Sequence, residues 1–525
     1  MREQQLNGTP ATFPTTVSLI FRALRRHRGK IAFEWDGGAL SYEGVHAQLG
    51  RYQAAMVSRG VDSSSRVALI SSNRVEAWCA AIAAQALGCL TTWLHPRGSL
   101  EDHLEQLRDA GIDTIVVDVE GFGERGSAIA EAVPEVLRIF TIGLADYGRN
   151  LVVLSELAGE HSPHNCAHPH SFSNLSYTGG TTGRSKAALR TQSTQAAISM
   201  AILSDFELPP TPRLLCVAPM SHVGGTKIVP TLMRGGTVYL ARSFDPDRAM
   251  RTIEDRRLNM TLLVPSMIYM LLDHPQLGRR DLSSLEMLLY GGSAMSPSRL
   301  TEGLERLGPV FAQLYGQTEC YPISTLRRAD HDLSRPELLS SCGQPVSFCD
   351  VRLLDDDLQE VPTGESGEIC VRGPHMMTSY WGQPELSEQA LAGGWLHTGD
   401  VARTDERGYI YIVDRKKDMI VSGGFNVYPR EIEDALATHP AVAMSAVIGV
   451  PDSKWGEAVI AVVVRRKGVQ VTERMLIDLV KEKKGSRQAP KRIVFADSLP
   501  TTAVGKIDKK LIREPFWAGH SRQVA

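Results

Sequence analysis

Residues 177–186 hold the chain's densest group of side chains suited to binding an anion. The ten residues include three glycines, three threonines and one lysine. Glycine lets the backbone turn sharply near a ligand, and successive N–H groups in such a turn can wrap a phosphate. The stretch predicts a polyphosphate-binding loop. It is not a Walker A loop, because no Gly-Lys-Ser/Thr follows the first glycines, and an ordinary glycine-rich turn is the alternative.

Three other stretches end short apolar runs with residues that suit a nucleotide. Residues 219–225 contain His222, which could line a pocket or equally well sit inertly at a helix start. Residues 289–294 end in small side chains that let a flat ring approach the backbone. Residues 315–319 offer an aromatic ring, a threonine hydroxyl and Glu319, whose carboxylate suits Mg²⁺. On neighbouring parallel strands, these loops would meet at the carboxyl edge of one sheet, where open α/β folds bind ligands.

Charged and flexible residues recur towards the C-terminus. Asp400, in a Thr-Gly-Asp turn, is a natural acceptor for ribose hydroxyls, although an Asp in this context is more often a plain turn residue. An Asp-Arg pair follows at 414–415 and a glycine pair at 423–424. Lys506 lies in a glycine turn, and taken alone it would be a solvated lysine.

Bulk composition describes an ordinary globular protein of more than one domain. The chain has 525 residues, of which 43% are hydrophobic and 22% charged, and that length is too great for one core. The 57 basic and 59 acidic residues nearly cancel, so no general attraction to nucleic acid or anionic membrane is expected. Eight scattered cysteines without a C-x-x-C pair predict reduced thiols in a cytoplasmic protein. A basic amphipathic segment at 18–30 predicts a solvated surface helix rather than a membrane-bound one.

Short β-rich runs alternate with helical patterns through most of the chain. The main predicted strands are 66–72, 89–94, 113–118, 213–218, 237–241, 260–264, 285–290 and 310–315. This alternation implies crossover units and a parallel sheet. The predicted fold class is therefore α/β. Residues 1–413 would form a large N-terminal domain of parallel-sheet subdomains closed by a small β unit, and 414–525 a small, mobile α+β C-terminal domain.

These motifs, in this order and spacing, resemble those of the adenylate-forming superfamily, which includes acyl- and aryl-CoA synthetases, peptide-synthetase adenylation domains and beetle luciferases. The resemblance extends from about residue 15 to 513, and it favours the acyl-CoA synthetase or fatty-acid–CoA ligase type. It implies that ATP and AMP are bound by Thr178, Gly179, Gly180, Thr181, Thr182, Gly183, Lys186, Gly291, Gly292, Ser293, Ala294, Gln313, Tyr315, Gly316, Gln317, Thr318, Asp400, Arg415 and Lys506.

The resemblance also implies a two-step reaction, in which an acid and ATP form an acyl adenylate that the CoA thiol then attacks. The implied catalytic residues are Lys506, Thr318, Glu319 and His222. Glu319 would hold Mg²⁺ together with the ATP phosphates. Asp414 would be the hinge about which the small domain rotates. The implied CoA channel is formed by Gly423, Gly424 and His222.

The sequence departs from the family's pattern in places. Gly179, Ser185 and Ala187 stand where most relatives have Ser, Pro and Gly, and His95 replaces a commoner Asn. The three loop residues are all small, so we expect the loop to keep its function with a changed ATP affinity.

Further features point to a free-standing carboxylic acid–CoA ligase. Val223 stands where amino-acid-activating members have an Asp, residues 343–374 lack the extra segment of fatty acyl-AMP ligases, and no carrier domain is expected after Ala525. A hydrophobic acid, whether fatty, alicyclic or terpenoid- and steroid-like, would suit an acyl pocket of Met220, Val223, Met267 and Ala312. Core packing explains these residues equally well.

Alternative functions are an enzyme that loads a carrier protein, an aryl-CoA ligase and a catalytically silent nucleotide-binding regulator. The expected cofactors are ATP, Mg²⁺ and CoA, the last as a co-substrate. The expected partners are these small molecules and the acid, with no nucleic acid and no stable membrane insertion, and a homodimer is the candidate assembly.

Overall fold

The computed structural model describes residues 14–178, 186–415, 418–422, 425–452, 455–466, 468–502 and 507–518. Within those ranges the α-helices are α1 (Thr16–Arg26), α2 (Tyr42–Val57), α3 (Val75–Ala86), α4 (Leu100–Asp109), α5 (Val119–Ala132), α6 (Leu151–Ala158), α7 (Gln192–Asp205), α8 (Ile228–Met233), α9 (Pro246–Arg256), α10 (Pro265–Leu272), α11 (Pro297–Leu307), α12 (Pro384–Ala390), α13 (Pro429–Ala437), α14 (Glu473–Lys484) and α15 (Lys509–Trp517).

The β-strands are distributed over the same ranges. In chain order they are β1 (Ile31–Trp35), β2 (Gly38–Ser41), β3 (Arg66–Ile70), β4 (Leu90–Trp93), β5 (Thr114–Asp118), β6 (Arg138–Ile142), β7 (Arg149–Asn150), β8 (Phe172–Thr178), β9 (Lys186–Thr191), β10 (Arg213–Cys216), β11 (Thr237–Leu240), β12 (Met260–Leu263), β13 (Met287–Gly291), β14 (Phe311–Tyr315), β15 (Ser324–Leu326), β16 (Gln344–Pro345), β17 (Asp350–Leu354), β18 (Gly367–Arg372), β19 (Ser379–Tyr380), β20 (Leu396–Thr404), β21 (Ile410–Arg415), β22 (Ile420–Ser422), β23 (Phe425–Val427), β24 (Val442–Asp452), β25 (Gly456–Arg465) and β26 (Arg492–Ala496).

Two large sheets carry most of the parallel strands. The first has nine described strands in the order β16-β15-β14-β13-β12-β10-β11-β1-β2. Its centre, from β14 to β1, is parallel. The second has eight described strands in the order β19-β9-β8-β4-β3-β5-β6-β7 and is parallel from β8 to β7. Crossover helices cover both sheets, which explains why their central strands are almost entirely buried.

Two smaller sheets follow. A four-stranded antiparallel sheet has the order β17-β18-β20-β21. The last sheet has the order β23-β22-β25-β24, with β26 added in parallel to β25. Helices α13 and α14 contribute Ile432 and Leu476 to the buried core beside it. The prediction of an α/β fold with a small β unit and a smaller α+β piece at the C-terminus is confirmed in these elements.

Some local predictions need correction. The segment at 18–30 was expected to be a solvated surface helix. Instead, α1 begins at Thr16 and buries Val17, Ile20 and Leu24 completely, because the apolar stripe of an amphipathic helix finds a core to cover it. The Thr-Gly-Asp stretch was expected to be a tight turn but lies inside β20. Gly399 adopts a φ of +70° there, so the strand bends locally without ending.

Candidate functional site

The loops after β10, β13 and β14 open at the same edge of the nine-stranded sheet. Strands β13 and β14 are neighbours, while β12 lies between β10 and β13, so the three strands are not all adjacent as the sequence suggested. The close approach of β13 and β14 requires Gly291, because a Cβ there would lie 2.5 Å from the Leu314 carbonyl oxygen. Gly292 follows with a φ of +80°, which turns the 291–294 stretch away from the sheet.

Asp400 is the centre of a polar cluster built from three strands. Asp400 is only 4% exposed. One oxygen of its carboxylate accepts hydrogen bonds from the Tyr315 hydroxyl and the Gln317 amide, each at 2.7 Å. Its other oxygen lies 3.2 Å from the Arg415 Nε atom. The carboxylate raises the pKa of Arg415 and fixes it as a cation. The structure therefore brings together four residues predicted to contact the nucleotide.

The backbone around Asp400 is held by the neighbouring strand β18. Glu368 accepts a 2.8 Å hydrogen bond from the Gly399 N–H group. The Thr398 hydroxyl donates to the Ile369 carbonyl at 2.8 Å and accepts from the Asp400 N–H group at 3.1 Å. These bonds hold the bend in β20, so the direction of the Asp400 side chain depends on β18.

Glu368, Cys370 and His397 form a cluster beside this bend that sequence reasoning missed. The His397 Nδ1 atom lies 3.2 Å from a Glu368 oxygen and 3.4 Å from the Cys370 sulfur. The three side chains lie on adjacent antiparallel strands and are separated in sequence by up to 29 residues. Their local patterns gave no signal, because each residue alone looks like an ordinary strand residue.

Glu319 lies between the nine-stranded sheet and the strand that closes the eight-stranded one. The Tyr380 hydroxyl donates a 2.8 Å hydrogen bond to a Glu319 oxygen. Burial and this carboxylate raise the pKa of Tyr380, so its phenol remains a donor. The Lys186 ammonium lies 5.5 Å from the centre of the Tyr380 ring. A carboxylate and a lysine therefore converge on Tyr380, a residue to which the sequence assigned no role.

Arg190 connects the strand after the glycine-rich loop to the 315–319 loop. Arg190 is buried. Its guanidinium donates hydrogen bonds to the Thr318 carbonyl oxygen and, at 3.2 Å, to the Ser176 hydroxyl. The buried Nε atom has no hydrogen-bond partner among the described residues. Glu319 opposes the effect of burial on the Arg190 pKa, so the two side chains balance charge across the two sheets.

The ring of His222 contacts that of a second histidine, His95, to which the sequence analysis assigned no role. The rings of His95 and His222 meet edge to face with centroids 4.4 Å apart. Burial lowers the pKa of His222 to about 3 and that of His95 to about 4. Both imidazoles are therefore neutral near pH 7, and His222 cannot act there as a permanent cation. Its Nδ1 atom lies 2.8 Å from the Ser221 hydroxyl, which constrains the ring.

The four predicted acyl-pocket residues divide between two packed clusters. Met220 and Ala312 are buried in one cluster, and Val223 packs against it. Met267 packs against a different cluster on the other face of the nine-stranded sheet. Met220 is positioned by Asn73, which accepts a 2.8 Å hydrogen bond from the Met220 N–H group.

Two other predicted residues are buried within their strands. Gln313 is buried in β14, where Tyr290 lies at hydrogen-bonding range. Asp414 lies inside β21, and its two oxygens accept hydrogen bonds from the Arg415 and Arg430 N–H groups at 2.7 and 2.9 Å. The predicted residues at 179–183, 423–424 and 506 lie outside the described residues.

Comparison with protein-family models identifies the family of this chain. Residues 20–381 match the model described as AMP-binding enzyme. Residues 431–506 match the model of the AMP-binding enzyme C-terminal domain. This chain belongs to the AMP-binding enzyme family. The predicted adenylate-forming resemblance is therefore confirmed.

Individual members of the AMP-binding enzyme family match over nearly the full chain. A medium/long-chain-fatty-acid–CoA ligase, FadD8 of Mycobacterium tuberculosis, is 44% identical and the match covers 100% of this chain and 94% of that protein. An indoleacetate–CoA ligase of Aromatoleum aromaticum is 34% identical, and the match covers 93% of this chain and 95% of that protein. Among solved structures, the amide bond synthetase McbA from Marinactinospora thermotolerans is 32% identical with a TM-score of 0.89, covering 95% of this chain and 100% of that one.

The helices of this family member are short. Among those that the structure describes, none combines the length and apolar character needed to cross a bilayer.

Proposed function

We propose that this protein ligates a hydrophobic carboxylic acid to CoA through an acyl adenylate, using Asp400, Glu319 and His222. The broader class, an AMP-forming acid–thiol ligase that uses ATP and CoA, is confirmed by the family and by the relative at 44% identity. The observation that best supports the proposed site is the Asp400 cluster, where Tyr315, Gln317 and Arg415 converge on one buried carboxylate.

The proposed chemistry has two balanced steps. A carboxylate oxygen of the acid attacks the α-phosphorus of ATP, and the bond to the bridging oxygen breaks to release pyrophosphate. The CoA thiol then loses its proton to solvent, its sulfur attacks the acyl carbonyl carbon, and the bond from that carbon to the phosphate oxygen breaks to release AMP. The first step brings two anions together, so cations aimed at the phosphates lower its barrier. Arg415 and Lys186 are described cations near the site, and Lys506 is proposed to bridge the substrate carboxylate and the α-phosphate.

The nucleotide is proposed to lie along the carboxyl edge of the nine-stranded sheet. Residues 291–294 and Tyr315 would enclose adenine, while Asp400 would accept from the ribose hydroxyls. The 178–186 loop would hold the β- and γ-phosphates, with Thr178 and Lys186 at its two described ends. A ribose hydroxyl would join or replace the Gln317 donor at Asp400, because that oxygen already accepts two hydrogen bonds.

Glu319 is proposed to bind Mg²⁺. One oxygen of its carboxylate accepts a hydrogen bond from Tyr380, whose ring is also contacted by the Lys186 ammonium. An anionic oxygen donor of this kind suits a cation that retains water and phosphate ligands. Bound there, Mg²⁺ would supply charge neutralisation for the phosphates, while Tyr380 orients the carboxylate.

A division into domains at 413 and 414 is part of the same proposal. In its support, the four-stranded sheet ends with β21 at Arg415, and the next sheet begins with β22 at Ile420. Rotation of the small domain about Asp414 would withdraw Lys506 and bring the 423–424 segment beside His222. The CoA thiol would then reach the adenylate. His222, being neutral near pH 7, would line this channel without repelling or trapping the thiol.

An apolar acid is proposed because Met220 and Ala312 are buried in one apolar cluster, against which Val223, the residue after His222, also packs. The 44% identical relative is named for medium- and long-chain fatty acids, which agrees with an aliphatic chain. The 34% identical relative is named for indoleacetate, so aromatic acids belong in any substrate panel.

Pyrophosphate release with ATP and Mg²⁺, measured across fatty, alicyclic and aromatic acids with and without CoA, tests the proposal. We expect CoA-dependent turnover on aliphatic or alicyclic acids and consumption of one thiol per AMP. Release near one equivalent that CoA does not relieve would instead identify a carrier protein or an amine as the acceptor. A homodimer and a cytoplasmic location remain predictions for light scattering and cell fractionation.

A further inference from the structure

Lys227 is a fully buried lysine that the proposed reaction does not use. It ends a short 3₁₀ helix, Val223–Lys227, that starts immediately after His222. Its exposure is 0%, and it is one of the largest completely buried side chains of the described residues. A lysine of this kind needs a specific reason to be retained, because burying an ammonium group without a counter-charge is costly.

The surroundings of the Lys227 ammonium are hydroxyl groups and aromatic rings. It donates to the Tyr321 hydroxyl, and to the Thr226 hydroxyl at 3.1 Å. The nitrogen also lies 4.7 Å from the centre of the Tyr321 ring and 5.3 Å from that of Phe206. These contacts hold the nitrogen in place, yet two acceptors engage only two of the three hydrogens of an ammonium group.

No charge compensates this lysine among the described residues. Burial lowers the pKa of Lys227 to about 7, and no described carboxylate raises it again. An additional acceptor of negative or partial negative charge would stabilise the ammonium form. The ammonium form therefore has a hydrogen left for an acceptor that none of the described residues supplies.

The location of this pair points to the acyl group. Lys227 is on the same short helix as Val223, and Tyr321 follows Glu319 by two residues. Tyr321 and Phe206 are buried in the same cluster as Met220 and Ala312. The lysine and the tyrosine thus come from the two loops that carry the proposed acyl pocket, after β10 and after β14.

We propose that Lys227 and Tyr321 form the polar far end of the acyl pocket and that the enzyme prefers acids bearing an acceptor oxygen, a ketone or a second carboxylate, remote from the reacting carboxylate. This inference rests on the proposed function. A site built to donate to a substrate oxygen discriminates strongly against the analogue that lacks it, because the buried donors then remain unpaired. Between the apolar walls and this end, the matching ligand is an aliphatic or alicyclic chain with one distal oxygen function.

Matched acids of six to ten carbons test this inference through kcat/KM for CoA-dependent AMP formation. At each length the plain acid, the acid with a ketone one carbon from the far end and the dicarboxylic acid are compared. We expect the wild-type enzyme to favour one oxygenated series over the plain acid by about tenfold or more, which corresponds to about 1.4 kcal/mol. The ketone and dicarboxylate arms distinguish a neutral from an anionic acceptor.

Lys227→Met and Tyr321→Phe should each reduce that preference about tenfold. The double variant should lose little more than either single one, because the two groups act together. Lys30→Met makes the same replacement at an exposed lysine and should keep the wild-type preference. Thermal unfolding checks that each variant is folded, and Tyr321→Phe, which retains the ring, carries the test if Lys227→Met is unstable.

Two results would overturn the inference while leaving the ligase intact. One is CoA-dependent turnover on plain acids with no preference for either oxygenated series. The other is a preference that survives both Lys227→Met and Tyr321→Phe, which would make the pair a structural link between the loops. Absence of CoA-dependent turnover with every acid would contradict the proposed function itself.

Discussion

At the scale of single residues, the proposed site depends on side chains whose partners lie far away in sequence. Tyr380 and Glu319 are 61 residues apart, and Tyr315 and Asp400 are 85 residues apart. In each pair a phenol donates to a carboxylate in a setting with little water, where charge-assisted hydrogen bonds are stronger than average. Removing either phenol should therefore change function before it changes the fold.

Tyr380→Phe should raise the Mg²⁺ concentration needed for half-maximal turnover and lower kcat/KM for ATP by about tenfold. The lost hydrogen bond to a charged group contributes roughly 1.5–3 kcal/mol, and Glu319 would no longer be oriented. Steady-state titrations with ATP and Mg²⁺ measure both effects.

Tyr409→Phe is a matched control, because the Tyr409 hydroxyl donates to Asp330 at 2.8 Å in the same way but outside the proposed site. It should lower the melting temperature with little effect on ATP kinetics. Equal kinetic losses in the two variants would contradict the assigned role of Tyr380.

Lys506→Ala should abolish formation of the adenylate and largely spare thioester formation from a supplied acyl adenylate. The lysine is proposed to act only where two anions meet, and the second half-reaction has no such encounter. Separate assays of the two half-reactions measure this, with Lys510→Ala as the control. Equal loss of both half-reactions would remove Lys506 from the first step.

At the scale of elements, β18 supports the strand that carries Asp400. Glu368 on β18 holds the Gly399 N–H group at 2.8 Å, and β20 pairs with β18 on either side of this bend. Since Gly399 has a positive φ, the bend is a local departure from the strand that needs its own hydrogen bonds.

Glu368→Ala should raise KM for ATP by about tenfold, because the Gly399 N–H group would be left unpaired and Asp400 would shift. The KM for the acid should change much less, since the proposed acyl pocket lies on other loops. Glu360→Ala removes an exposed glutamate near Arg352 in the same sheet and is expected to leave both constants near wild type. A uniform rise in both KM values would point to general unfolding of the sheet.

At the scale of the whole molecule, the two smaller sheets meet near Asp414. Burial raises the pKa of this carboxyl to about 6 from an ordinary value of 3.8, against the opposing effect of Lys509. The folded protein thus binds this proton more tightly than the unfolded chain does. The contribution of Asp414 to stability is therefore fully present below about pH 4 and is lost as the pH rises through about 6.

Asp414→Asn should remove this titration. The melting temperature of the wild-type protein relative to Asp414→Asn should fall by about one degree between pH 5 and pH 7. Asp281→Asn is the control, because hydrogen bonds with Ser283 hold the pKa of Asp281 at about 2 and nothing titrates there in this window. A wild-type curve parallel to that of Asp414→Asn would show that the carboxyl does not titrate near pH 6.

The sequence by itself determined the family, the α/β class and the motifs that carry the chemistry. Periodicity predicted the run of strands from β10 to β14, because a buried parallel strand has a short, continuous apolar sequence that can be recognised without the rest of the chain. The glycines and charged residues at strand ends were visible for the same reason, since turn chemistry depends on near neighbours.

Only the tertiary structure decided which side chains meet. The strand order places β12 between β10 and β13. The Thr-Gly-Asp stretch, expected to be a turn, forms a local bend at Gly399 within β20. The partners Tyr380, Arg190, Glu368 and Lys227 gave no signal, because each depends on a contact across sheets or loops. Lys227 and Tyr321, for example, are 94 residues apart. Local patterns fix the elements, whereas crossovers and sheet packing fix the distances between their ends.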